Sequence, residues 1–208
     1  MRSADAPLRR VLRRCLGRRG TAAVEFATMA PLLGLLAFGT VDFVLFMRAQ
    51  AKVDGAAVQL GQTVSQCETV SDPGDTTDFW GLAQAALGGL GDVTPTGTGT
   101  VIVSAVSTTA NGHRVSWQRR SNTRHNSPVG TEGGAATIPG SYAVPTGQLL
   151  IVTEIFVPTE MPVLGTTLAS IGMVPTTLRG ATFLLSRSPD PGAVSATPQN
   201  STAKVCMQ

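Results

Sequence analysis

The sequence is poor in the residues that build most active sites. Of its 208 residues, 14% are charged, 5% are aromatic, two are histidines and three are cysteines. No Gly-x-Ser-x-Gly, P-loop or His-Glu-x-x-His pattern occurs. His113 and His125 also lack the spacing of metal ligands relative to any Cys, Asp or Glu. We therefore expect a protein that is not an enzyme and has no cofactor, no metal and no small-molecule substrate.

Basic residues are concentrated at one end of the chain. The formal net charge is +3, yet seven arginines precede residue 20: Arg2, Arg9, Arg10, Arg13, Arg14, Arg18 and Arg19. Beyond Gly20 the acidic residues outnumber the basic ones. The body of the protein therefore lacks the basic surface that nucleic acid requires, and residues 1–20 form a basic leader.

A long apolar segment follows the basic leader. No residue from Phe26 to Val41 is charged, and the apolar pattern continues to Met47. As a helix, residues 21–47 would be about 40 Å long, which exceeds a hydrocarbon core of about 30 Å. The leader arginines predict a cytoplasmic N-terminus and an exported C-terminal domain, because basic residues stay on the cytoplasmic side.

A cleavable secretory signal is the competing interpretation of this segment. Ala49-Gln50-Ala51 resembles the Ala-x-Ala site of the signal peptidase, and cleavage there would give a soluble exported protein. The apolar run is longer than the roughly 7 to 15 residues of such signals. We therefore favour an uncleaved, single-pass membrane helix.

Residues 48–66 are predicted to continue the helix as an amphipathic extension. One stripe is apolar and consists of Phe46, Val53, Ala57, Leu60 and Val64. The opposite face is polar and consists of Arg48, Lys52, Gln59, Gln62 and Gln66. The apolar stripe is typical of a helix that packs on its own domain, and packing against other subunits is the alternative.

Residues 67–208 are predicted to form an extracytoplasmic α+β domain. Thr77 or Asp78 could cap a short helix from Phe79 to Leu87, and turn or cap roles are favoured over calcium binding for Asp72, Asp75 and Asp78. The predicted strands are Val101–Val106 paired with Val115–Trp117, then Leu149–Val157 and Ala181–Ser186. Residues 121–147 are predicted to be a flexible loop. The expected fold is a long N-terminal helix packed on a small antiparallel sheet.

The junction between leader and apolar segment resembles the TadE-like family, the minor pseudopilins of the tight adherence (Flp) pilus machinery. The resemblance covers about residues 18–66. It rests on Arg-Arg-Gly at 18–20, Ala-Val-Glu-Phe at 23–26, Pro31 followed by leucines, Phe-Gly-x-x-Asp-Phe at 38–43 and the amphipathic continuation. The related TadF and TadG types remain open, although the metal-binding Asp-x-Ser-x-Ser motif of many TadG proteins is absent.

The resemblance implies a processing site and a function. In pilin-like proteins a prepilin peptidase cuts after glycine, which here is the Gly20–Thr21 bond, and the fifth mature residue is a glutamate that acts in assembly, here Glu25. The implied protein is a single-pass component of the bacterial inner membrane, with pilin and other pseudopilin subunits as partners. A membrane-tethered or secreted ligand-binding protein or enzyme unrelated to pili is the alternative.

Two exported cysteines, Cys67 and Cys206, are expected to form a disulfide. Cys15 lies in the leader and would be removed or cytoplasmic, so only this pair would reach an oxidising compartment. Two separate buried thiols are the alternative.

The first prediction concerns topology. A reporter fused after Gln208 should be active only outside the cytoplasm, because the leader arginines hold the N-terminus inside. Changing most of these arginines to neutral residues should weaken the orientation. A C-terminal reporter that is cytoplasmic in the unaltered protein would contradict the whole arrangement.

Overall fold

The computed structural model describes residues 19–142, 144–159, 169–170, 172, 174–188 and 197–206. Its elements, in chain order, are helix α1 (Arg19–Ser65), strand β1 (Ser71–Pro73), helix α2 (Gly74–Leu87), strands β2 (Thr100–Thr109) and β3 (Gly112–Arg120), a 3-10 turn (Pro139–Ser141), and strands β4 (Leu149–Pro158), β5 (Thr177–Leu185) and β6 (Gln199–Ser201). The fold class is α+β, as predicted.

Helix α1 is 47 residues long and runs without interruption through Pro31. Its uncharged apolar stretch contains hydroxyl groups that bond within the helix itself. The Oγ1 atom of Thr28 donates to the carbonyl of Glu25 at 2.8 Å, and that of Thr40 donates to the carbonyl of Leu36 at 2.8 Å. These polar groups are thus satisfied without water, as an apolar environment requires.

The main sheet has four antiparallel strands in the order β3-β2-β4-β5. The predicted hairpin is confirmed, with Val106 opposite Val115 and an irregularity between Ala105 and Val106. The two later strands are also confirmed, although β5 begins at Thr177, four residues earlier than predicted. A second, two-stranded sheet joins β1 and β6 in parallel, and neither of these strands was predicted.

Helix α2 begins earlier than predicted. It starts at Gly74, and its N-cap residue is Pro73, which makes no side-chain cap bond. The prediction that Thr77 or Asp78 would cap this helix is therefore wrong. The predicted end at Leu87 is confirmed, because Gly88 adopts the left-handed conformation (φ 57°) that terminates helices.

The inner face of the sheet packs on both helices. The predicted apolar stripe of α1 supplies part of this core, since Val53, Ala57, Leu60 and Val64 are each 0% exposed. The polar residues on the opposite face, from Arg48 to Gln66, are exposed. The amphipathic extension therefore packs on its own domain, and each buried aliphatic side chain contributes roughly 1.5 to 3 kcal/mol.

The outer face of the sheet carries a second apolar cluster. Side chains from β2, β3 and β4 meet Val129 and Val144, which are 1% and 3% exposed. Both valines belong to residues 121–147, the segment for which the sequence predicts flexibility. Its mobility stays a prediction, but these two side chains hold it against the sheet.

Helix α1 and strand β5 lie side by side and run in the same direction. The Nε2 atom of Gln50 donates to the carbonyl of Arg179 at 3.0 Å, and the N–H of Arg187 donates to the carbonyl of Ser65 at 2.7 Å. Between these points Gly180 packs directly on the helix, where a Cβ atom would lie 2.7 Å from the carbonyl oxygen of Val53. The helix can approach the strand this closely only because Gly180 has no side chain.

The second prediction tests this contact. Gly180→Ala should lower the free energy of unfolding by about 1 to 3 kcal/mol, because the new methyl group forces backbone apart. The control is Gly55→Ala on the exposed side of α1, where a Cβ atom would have nothing within 4 Å. That change should raise stability by up to about 1 kcal/mol through helix propensity. Denaturant unfolding in detergent, followed by the fluorescence of buried Trp80 and Trp117, measures both, and equal midpoints would contradict the prediction.

Candidate functional site

The predicted processing site lies at the beginning of α1. Because this helix starts at Arg19, the Gly20–Thr21 peptide bond lies in its first turn. Glu25 follows four residues after Thr21, so the two lie on the same face about 6 Å apart along the helix axis. The side chain of Glu25 is exposed. This geometry allows contact of Glu25 with a group at residue 21 or with a neighbouring molecule.

The first half of α1 exposes apolar side chains in all directions. Thirteen of them are between 39% and 70% exposed: Val24, Phe26, Met29, Leu32, Leu33, Leu35, Leu36, Phe38, Val41, Phe43, Val44, Leu45 and Met47. Only 6% of the most apolar window of 18 residues is buried. The core helix of a soluble protein would instead be largely buried. One such helix near the N-terminus fits a single-pass membrane protein.

Asp42 is the exception within this apolar stretch. It is 1% exposed, whereas its neighbours Val41 and Phe43 are 50% and 63% exposed. A carboxylate at membrane depth is costly unless it is paired or shielded. Asp42 has an interaction partner in the folded chain, so its carboxylate is not left unpaired.

Cys67 and Cys206 lie within disulfide-bonding distance, with their Cα atoms 4.9 Å apart. This is the pair that the sequence predicted. Cys67 comes directly after α1 and is 2% exposed in the main core, against which Cys206 also packs. A bond that closes a loop of 139 residues contributes roughly 5 kcal/mol in the chain-entropy model. The C-terminal segment is thereby fastened to the end of the long helix.

The three aspartates near the start of α2 point to different partners. Asp72 pairs with Arg119 at 2.7 Å, and Asp78 pairs with Lys204 at 2.7 Å. Asp75 is 0% exposed and accepts bonds from the C-terminal segment. Across the described residues no group of three or more His, Cys, Asp or Glu side chains is arranged to hold a metal ion.

A buried glutamate in β4 was missed by the sequence analysis. Glu154 is 0% exposed, and its Oε1 atom accepts a bond from Nη2 of Arg179 at 2.6 Å. Its Oε2 atom accepts a short hydrogen bond from Ser127. Glu154 therefore fastens the segment 121–147 to the sheet. An acid inside the apolar run of β4 was the available signal, but its partners lie 25 and 27 residues away in sequence.

Neither histidine is placed for catalysis. His113 lies 3.1 Å from Oγ1 of Thr108, and the ring of His125 stacks on Phe156 at 5.1 Å. Both side chains are only partly exposed. Asp92 lies between α2 and β2, far from both histidines in sequence. Hydrogen bonds from the side chain and the backbone N–H of Thr94 lower the pKa of its carboxyl group.

A shallow pocket of about 370 Å³ lies beside the β2–β3 hairpin. Its walls come from the tip of the β2–β3 hairpin and from residues 133–135, and its ionisable residues are His113 and Arg114. No serine, cysteine or carboxylate lines it. The hydroxyl of Thr109 lines the pocket and donates to the carbonyl of Gly112 at 2.7 Å.

These features fit one class of protein: a single-pass, helix-anchored α+β protein. Its long N-terminal helix is apolar enough to cross a membrane in its first half and belongs to the domain core in its second half. The sequence of α1 indicates the particular family. Residues 20–59 match the family model described as TadE-like protein. The match lies wholly within α1, begins at Gly20 and covers about a fifth of the chain. It relates the chain to the Tad pilus system. Comparison with curated proteins and with solved structures finds no match.

Proposed function

We propose that the chain is a minor pseudopilin, or assembly component, of a tight adherence (Flp, type IVb-like) pilus. A prepilin peptidase removes residues 1–20, and residues 21–47 hold the mature protein in the bacterial inner membrane. Residues 67–208 then lie on the periplasmic or extracellular side. The protein acts by binding pilin and other pseudopilin subunits. The observation that carries this proposal is the TadE-like match, which begins at the residue after which the peptidase would cut.

The exposed apolar helix supports an assembly function. Between Val24 and Met47 most of its apolar side chains are exposed in the described fold, although Phe46 packs against the main core. Such a surface is stable in lipid, and it can also pack against the helix of another subunit, because both environments are apolar. The extension after Arg48 is held by its own domain, so lateral contacts belong mainly to the first half of the helix.

Cleavage changes the charge at the start of this helix. It removes all seven leader arginines and creates an α-amino group on Thr21, which is largely cationic at neutral pH. A carboxylate in the bilayer costs about 2 to 3 kcal/mol at the centre and less near the interface. The new amine, one helical turn from Glu25, offsets this cost within a chain or across two staggered chains. Processing thus converts an anchored precursor into a subunit that can assemble.

The third prediction concerns cleavage. Gly20→Val should block processing, because the peptidase requires a small residue before the scissile bond in the pilin-like pattern. Gly17→Val, three residues upstream, is the matched control and should be processed normally. Intact-mass spectrometry of membrane-extracted protein gives the answer. A mature wild-type chain that begins anywhere other than Thr21 would contradict the proposed site.

The fourth prediction concerns Glu25. Glu25→Ala should leave cleavage and membrane insertion intact, because it removes a charge that is costly in lipid. Recovery of pilus proteins with the affinity-purified variant should fall about tenfold or more, since the α-amino partner is left without its counter-charge.

The control is Glu68→Ala, which removes one exposed acid from the exported domain and should change neither quantity. If Glu25→Ala recovers its pilus partners as well as the wild type does, the assembly role of Glu25 is excluded. If the wild type recovers no pilus protein at all, a tethered enzyme or ligand-binding protein becomes the better hypothesis.

A further inference from the structure

The start of α2 forms a recess that holds the C-terminal segment Gln199–Cys206. At its centre lies the carboxylate of Asp75, which is 0% exposed. Its Oδ1 atom accepts the backbone N–H groups of Val205 at 3.0 Å and Cys206 at 3.1 Å. Its Oδ2 atom accepts the backbone N–H of Ser71 at 2.8 Å. The hydrogen bonds to this buried carboxylate therefore come from the recess at Oδ2 and from the tail at Oδ1.

Further contacts match the tail to the recess. The hydroxyl of Ser71 accepts the N–H of Asp75 at 3.0 Å and lies 2.6 Å from the carbonyl oxygen of Ala203, to which it can donate. Strand β6 pairs in parallel with β1. At Gly74 an added Cβ atom would collide with the carbonyl of Ala203. The recess therefore fits the backbone of the tail closely at Ala203, and the pairing of β1 with β6 gives the tail a defined register.

We propose that this recess is a binding site for the C-terminal segment that holds it without the disulfide, and that this binding sets Cys206 beside Cys67 before the two are oxidised. The non-covalent contacts involve Ser71, Gly74, Asp75 and the ion pair of Asp78 with Lys204. None of them requires a bond between the sulfur atoms. The buried carboxylate favours docking, because a tail that leaves the recess would leave its Oδ1 atom without the two N–H donors of the tail.

The oxidation itself is a two-electron thiol–disulfide exchange with a disulfide-containing oxidant. One of the two thiolates attacks a sulfur of the oxidant, forms a mixed disulfide and releases one oxidant thiolate. The second cysteine thiolate then attacks the protein sulfur of that mixed disulfide and releases the other oxidant thiolate. Two protons leave the protein and the oxidant gains both electrons. Docking of the tail accelerates the closing step, because it raises the effective concentration of one sulfur at the other.

The fifth prediction is measured on the full chain in detergent. In the double variant Cys67→Ser/Cys206→Ser the tail should stay docked, so the amides of residues 205 and 206 should exchange hydrogen at least about tenfold more slowly than unprotected amides. Adding Asp75→Asn should weaken this protection, because asparagine has one acceptor oxygen and its NH₂ group must face the N–H donors of either the tail or Ser71. Tail amides that exchange at the unprotected rate in the double variant, while amides of β4 stay protected, would overturn the proposal.

Closure kinetics give a second measurement on the same site. The wild-type protein is reduced and then exposed to oxidised glutathione, and the mixed disulfide and the closed bond are separated by mass. Asp75→Asn and Gly74→Ala should each slow closure about tenfold or more. Gly74→Ala changes no charge, so it tests the fit of the recess separately from the hydrogen bonds.

One control on the same helix should close at the wild-type rate. At Gly81 a Cβ atom would have nothing within 4 Å, so Gly81→Ala should be neutral. Asp78→Asn removes the partly exposed ion pair with Lys204 of the tail, and it should slow closure less than Asp75→Asn does, because such pairs contribute little. Equal closure rates for Asp75→Asn and the wild type would refute the proposal. If Asp75→Asn does not fold, tail exchange in the double cysteine variant decides the question alone.

Discussion

The two halves of helix α1 have different surroundings, and the point where they meet determines where the rest of the domain packs. Up to Met47 apolar side chains predominate on all sides, whereas from Arg48 onward one stripe is apolar and the opposite face is polar. That stripe has to be covered, and the sheet covers it. The cover is tight because Gly180 admits the helix backbone itself. Strand β5 runs alongside α1 in the same direction, so the strands of the sheet are aligned with the axis of the helix. The turns and loops between the strands therefore lie either toward the apolar first half of α1 or away from it.

Much of this fold could be predicted because it is encoded locally. The 3.6-residue period of Val53, Leu60 and Val64 marks the buried face of α1, and the β-branched run from Val101 marks a strand. The chain-adjacent pairing of β2 with β3 follows from the short Gly-containing turn between them. What failed was the start of α2, where a local rule favoured Thr77 or Asp78. The true start is set by Ser71 and by tail residues about 130 positions away, which no window of sequence contains.

The candidate sites divide in the same way. Gly20, Thr21 and Glu25 were identified from a short contiguous pattern. The structure adds only that all three lie within the first two turns of α1. The pair Cys67 and Cys206 followed from counting cysteines by compartment. In contrast, Glu154 with Arg179 and Ser127 depends on which strands are neighbours, and Asp75 depends on where the tail returns. Buried charges of this kind are visible in sequence as anomalies, but their partners are chosen by topology.

The link between Cys67 and Cys206 also has a mechanical consequence. A pulling force applied to the chain beyond Cys206 and resisted by the membrane helix would pass from the tail through the disulfide into the end of α1. The four-stranded sheet lies outside this load path. The chain segments that connect the sheet to Cys67 and to Cys206 belong to the loop that the disulfide closes, so they carry no tension. Tension would therefore stretch the covalent path and the helix axis without unzipping a strand. In a molecule anchored at one end, the domain could carry load while its two apolar layers stay intact.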